Sequence, residues 1–221
     1  ILKDPTVEFA VLETARGGIL RSGLGFSRCD VAVVTNIQED HMGLSDIHTL
    51  KDMARVKGVV AESVKRDGYV VLNADNEYCA GISKEVSCNV AYFSMNENNP
   101  VIIEHCKKGG ISAIYENGFI TIKKGEWKFR VQKVTNVPLT FGGRVSFMIQ
   151  NVLAATLATY VYGFATEDVA TSLETFIPSA AQTFQYHIGG FGGFSAPTAN
   201  NIRTVTLDLK MIAYSLIENP I

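Results

Sequence analysis

From Val7 to Lys108 the sequence alternates short apolar runs rich in β-branched residues with stretches of helical spacing, and that alternation restricts the fold more than any other feature. Val7 to Leu12 reads as a buried strand ending at Glu13 and a glycine pair, and Val31 to Thr35 repeats the pattern up to Asn36. Between Ile47 and Val64 the residues Leu50, Met53, Ala54, Val60, Ala61 and Val64 recur at helical spacing. Tyr69 to Leu72 then predicts a third short strand, Glu77 to Glu85 a weaker helix, Asn89 to Phe93 a strand, and Val101 to Lys108 a helix stopped by Gly109-Gly110. Strands that alternate with helices imply an α/β fold, with a mostly parallel sheet joined by crossover helices.

The rhythm then changes. Ser112 to Tyr115, Phe119 to Lys123 and Trp127 to Val134 are expected as strands, the first two joined through the hairpin dipeptide Asn117-Gly118. They are read as a small antiparallel lobe. Val145 to Tyr162 is a long Ala-rich helix, and a second runs from Thr166 to about Phe176 with Thr166 as N-cap. Residues 1 to 178 are therefore expected to form the greater part of one domain, partial as given, and 179 to 221 a divergent tail without assignment. Within that tail, Gly189 to Phe194 reads as a flexible connector rather than a phosphate loop, because no strand-then-helix setting surrounds it.

With 221 residues and 47% apolar content, the chain can bury one substantial core. The 20 basic and 22 acidic residues leave a net charge of -2, which argues against nucleic acid as a partner. Four scattered cysteines without a C-x-x-C pair fit a reducing cytoplasm. No apolar run approaches the roughly 18 residues of a membrane span. The sequence opens at Ile1 without an initiator Met, and the chain is expected to be a fragment.

Polar residues gather where the expected parallel strands end: Glu13 after the first, Asn36 with Asp40 and His41 after the second, Asn73 with Asp75 after the third. That edge is where open α/β sheets bind ligands, although Asn, Asp and Gly are also ordinary turn residues. Glu13 ends an apolar run, so its carboxylate needs hydrogen-bond donors or a cation, either Mg²⁺ held with nucleotide phosphates or Arg16 three residues on. His41 is either a loop residue or a metal ligand. Lys57 falls on the apolar face of its helix, where it snorkels to the rim, pairs with an acid, or is modified. Asn151 lies among Phe147, Ala154 and Ala155, where a helix-packing hydrogen bond and a nucleotide contact are equally open.

The run Glu13-Thr14-Ala15-Arg16-Gly17-Gly18-Ile19-Leu20-Arg21-Ser22-Gly23-Leu24-Gly25, followed by Thr35-Asn36-Ile37 and Glu39-Asp40-His41-Met42-Gly43, resembles the Mur ligase superfamily in its cyanophycin synthetase branch. Ala54-Arg55-Val56-Lys57, Leu72-Asn73-Ala74-Asp75 and Pro138-Leu139-Thr140-Phe141-Gly142-Gly143 stand in that family's order, with Asn151 in the following helix. The likeness covers roughly residues 1 to 183. It implies the central ATP-binding domain of an ATP-dependent carboxylate-amine ligase working through an acyl phosphate, with ATP and Mg²⁺ as cofactors. On the matching positions, Glu13 and His41 would be metal ligands, Asp40 and Lys57 catalytic, and Asn36, Asn73, Asp75 and Asn151 nucleotide-binding. Lys57 matches a lysine that many Mur ligases carbamylate.

The implied substrates are an amino acid and an aspartate/arginine polymer, with arginine added to the aspartate side chain. Peptidoglycan precursors or folate, as in other Mur-type ligases, form one alternative, and a non-catalytic nucleotide-binding remnant another. A homo-oligomer is compatible with the sequence, which does not fix the oligomeric state. Two departures stand out: the superfamily's Gly-Lys-Thr phosphate loop is absent, and beyond Thr183 its Pro-Gly-Arg and Asp-Tyr-Ala-His-Asn-Pro segments do not appear. The 221 residues alone are accordingly expected to be inactive.

Overall fold

The computed structural model describes residue 7, residues 9–39 and residues 47–177. Asp40, His41, the connector at 189–194 and the whole tail beyond 177 lie outside the described residues.

Among the described residues six strands form one sheet in sequence order: β1 (Cys29–Val34), β2 (Val64–Asn73), β3 (Asn89–Ser94), β4 (Ile111–Glu116), β5 (Phe119–Lys124) and β6 (Trp127–Lys133). β1 to β4 run parallel, and β5 and β6 continue the same sheet in antiparallel register. The antiparallel strands expected as a small lobe are thus an extension of the main sheet. Asn117 and Gly118 turn the β4–β5 hairpin with φ of 50° and 82°, the left-handed geometry that Asn and Gly tolerate best.

Side-chain alternation divides the core into two layers. On one face Val70, Leu72, Tyr92 and Ile114 meet α2 (Leu50–Glu62), α3 (Glu77–Gly81) and α4 (Pro100–Lys107), which supply Met53, Ala61, Cys79, Ile102 and Cys106. On the other, Val71, Phe93, Ala113, Ile120 and Ile122 meet α5 (Ser146–Tyr162) and α6 (Thr166–Thr175). α5 touches β1 to β5 and is buried almost all round, as expected for a helix with no polar face. No helix among the described residues is long and apolar enough to cross a membrane.

Two local expectations are corrected. The run at 7–12 is not a strand over its described residues, and Val7 and Leu12 are exposed. No described strand lies beyond β1 to give it a ladder partner; instead Phe9 packs edge-on against Tyr162 and Phe164, 4.8 and 5.7 Å between ring centroids, at the end of α5. At α6 the N-cap is Ala165, and Thr166 is already helical, its hydroxyl turned to the Glu167 carboxylate at 3.3 Å. Extended backbone at residue 165 starts the helix one residue earlier than the hydroxyl suggested.

Candidate nucleotide site at the sheet edge

Three loops leave the C-terminal ends of β1, β2 and β3, and side-chain amides tie them together. Asn73, the last residue of β2, is buried; its Nδ2 donates to the Thr35 carbonyl at 2.9 Å, while its Oδ1 accepts the Asp75 amide at 2.9 Å. Asn76 caps α3 by accepting the Cys79 amide, and its Nδ2 donates to Asn36 Oδ1 at 2.8 Å and to the Ile37 carbonyl at 2.9 Å. Buried Ile37 pins the β1 loop from the apolar side.

Lys57 enters from α2. A capping box between Thr49 and Asp52 fixes the start of that helix, and Lys57 lies on the line of Met53 and Ala61, both buried. Its ammonium group donates to the main-chain carbonyl of Asn36 at 2.7 Å. The inward lysine therefore reaches the rim of the sheet, where its charge opposes the effect of burial on Cys79. Burial wins, and the Cys79 thiol is pushed up to about 12. The thiol stays protonated and plays the part of a small apolar side chain.

Asp75 has a different setting. Ser94 Oγ at 2.5 Å, the Met95 amide at 2.7 Å and Asn99 Nδ2 at 3.0 Å all donate to its carboxylate, so it joins the β2 loop to the β3 loop. Asn99 in turn caps α4 by accepting the Val101 amide.

Asn151 approaches from the opposite layer. Lys133 at the end of β6 pairs with Phe119, beside the end of β4, and the next residue, Val134, accepts the Thr140 hydroxyl at 2.8 Å. Thr140 also accepts the Val145 amide ahead of α5, so α5 begins at the edge where β1 to β4 end. Asn151 lies five residues into that helix, about 7.5 Å along its axis, and is buried. The turn before it holds three consecutive left-handed residues, Phe141, Gly142 and Gly143, at φ of 52°, 69° and 83°.

The structure thus brings Asn36, Lys57, Asn73 and Asp75 into one hydrogen-bonded assembly and sets Asn151 at the same edge. Glu13 enters none of these hydrogen bonds; it is half-buried, two residues before the N-cap of α1 (Arg16–Ser22), a helix that packs on α2. Among the described residues no group of three or more His, Cys, Asp and Glu is placed to hold a metal ion. Sequence reasoning missed Asn76, Ser94 and Asn99. Asn76 and Asn99 carried a readable signal, each being an Asn directly before a helix.

The amides of Asn73, Asn76 and Asn99 and the Asp75 carboxylate are engaged with one another and with the loop backbone, so they shape the edge, and the Lys57 ammonium group brings a positive charge to it. A divalent ion would depend on Glu13 together with His41.

Comparison with known proteins agrees with this architecture. The model of the Mur ligase middle domain matches residues 2–159. Cyanophycin synthetase from Geminocystis herdmanii is 54% identical over 183 residues, and that from Crocosphaera subtropica 55%, in each case over 83% of this chain and 21% of the relative. A UDP-N-acetylmuramate--L-alanine ligase from Acetivibrio thermocellus is 30% identical over 151 residues, 66% of this chain and 29% of that protein. The chain spans about a fifth of the length of the cyanophycin synthetases it matches. With most of its described fold inside the matched region, the chain belongs to the Mur ligase middle-domain family.

Proposed function

We propose that this chain is the nucleotide-binding core of an ATP-dependent ligase that joins an amino acid to a carboxylate, with cyanophycin synthesis as the reaction. In that chemistry a carboxylate oxygen takes the γ-phosphoryl group of ATP and ADP leaves; the amine nitrogen then attacks the acyl carbon and orthophosphate departs. The observation that carries the reading is the Lys57 ammonium group held at 2.7 Å from the Asn36 carbonyl, on the ligand-binding edge of the sheet. A fixed positive charge there stabilises transferring phosphoryl oxygens. Asn151 contacts the nucleotide from α5, and Asn36 and Asn73 keep the loops in the shape that receives it.

Mg²⁺ would be held by Glu13 and His41, where it would neutralise charge developing on the phosphates. Asp40 shapes that loop. Arginine and an aspartate-backbone polymer are the proposed substrates, supported by the higher identity to cyanophycin synthetases than to the muramate ligase. The protein would work in the cytoplasm.

The test is ADP release by the intact ligase with an aspartate/arginine polymer primer and arginine, against a muramyl peptide. Turnover on the polymer that falls at least a hundredfold in Glu13→Ala and His41→Ala is the expected result. Unaltered turnover in both variants would overturn the assignment.

A further inference from the structure

The hairpin of β5 and β6 carries Lys123, Lys124, Lys128, Arg130 and Lys133 against the single acid Glu126, in a chain whose net charge is -2. The register sets Lys123 directly opposite Lys128, and Thr121 opposite Arg130. Like charges facing across a ladder destabilise it, so the arrangement needs compensation. Lys128 receives it from the buried carboxylate of Glu116, whereas Lys123 and Arg130 form no ion pair among the described residues. The Arg130 guanidinium is instead held over the Phe119 ring, 4.3 Å from its centroid. Beside it the Thr121 hydroxyl is buried without a hydrogen-bond partner.

This face of the sheet is the one α4 packs on, over β3 and β4, while the helices against β5 and β6 are α5 and α6 on the other side. Arg130 and Lys128 are exposed. β6 is the terminal strand, and its outer edge takes no main-chain strand partner among the described residues. Lysines alone commonly guard such an edge against pairing. A guarded edge does not also present a tryptophan, yet Trp127, the chain's single one, opens β6 with 57% of its surface exposed and leans on Phe129 at 4.9 Å.

We propose that β6 is a docking edge for an extended acidic peptide, which adds as a seventh strand. Residues two apart on such a strand repeat every ~6.8 Å. Alternate carboxylates would then meet the Lys123/Lys128 pair and Arg130, while the intervening side chains cover Trp127 and Phe129. Main-chain pairing favours a peptide over a nucleic acid, whose backbone cannot complete the ladder. The proposal is independent of the ligase reading.

The emission of Trp127 reports occupancy in the 221-residue chain without a label. A short peptide alternating Asp and Val should shift it saturably, and the affinity should fall about tenfold in Arg130→Glu with the far-ultraviolet dichroism unchanged. N-methylation of the peptide backbone should abolish the shift. Should Arg130→Glu fail to fold, the salt dependence of the unmodified chain decides: affinity must drop as ionic strength rises. Absence of a saturable shift, a Lys/Val peptide or oligothymidylate binding as tightly, or binding indifferent to salt would each overturn the proposal.

Discussion

Lys57 Nζ lies 2.7 Å from the main-chain oxygen of Asn36, joining the middle of α2 to the loop that leaves β1. A half-buried ammonium group on a carbonyl contributes about 1–2 kcal/mol. Lys57→Met keeps the stem in the apolar line of α2 but removes the donor. Its unfolding free energy in urea should fall by that amount, through a lower midpoint at an unchanged slope, and a midpoint equal to that of the parent would show that the bond contributes nothing.

Asp75 receives three donors from the β3 side, two of them on the buried residues Ser94 and Asn99. Replacing it with Ala strands those donors, so Asp75→Ala should cost about 2–3 kcal/mol in thermal unfolding. Asp75→Asn, which keeps one acceptor oxygen, should cost less than half as much. Equal losses in the two variants would mean that the carboxylate charge, not its acceptor capacity, is what the loops use.

Phe141 adopts a left-handed backbone, costly for a residue with a Cβ, and 40% of its surface is exposed, so its packing offsets only part of the strain. Phe141→Gly should raise stability by about 0.5–1 kcal/mol, measured by chemical denaturation. A loss of more than 1 kcal/mol would show that the ring packs against something the chain needs.

Acid should weaken the fold in two stages. Burial holds His105 below the usual imidazole range, so the folded state resists its protonation; that contribution is complete above about 6.5 and is lost as pH falls through the folded value. The Lys128 hydrogen bond holds Glu116 below the usual carboxylate range, and its contribution is complete above about 4.3 and lost further into acid. Unfolding free energy followed from pH 8 to 3 should therefore decline in both windows, and Glu116→Gln should flatten only the lower one.

Much of the fold was legible because strands and helices followed their own periodicities: β3, β4, α4 and α5 begin and end within a residue or two of the sequence reading. The run at 7–12 was misread because apolar content cannot say whether a ladder partner exists, and Phe9 found aromatic rings instead. At the edge, Asn36 and Asn73 were legible as polar residues where apolar strands end, and Lys57 as a cation on the apolar face of a helix. Asn76 offered a signal only for its capping of α3; that its amide also bridges two loops forty residues apart is encoded by nothing local to it.

The placement of α5 also sets an order of events. It lies across β1 to β5 but is encoded after the six described strands, so the core layer that α5 completes cannot close until residues 146–162 have been made. Val71, Phe93 and Ile122 would face water throughout that interval, and the nascent chain would rely on shielding from other molecules before it could close.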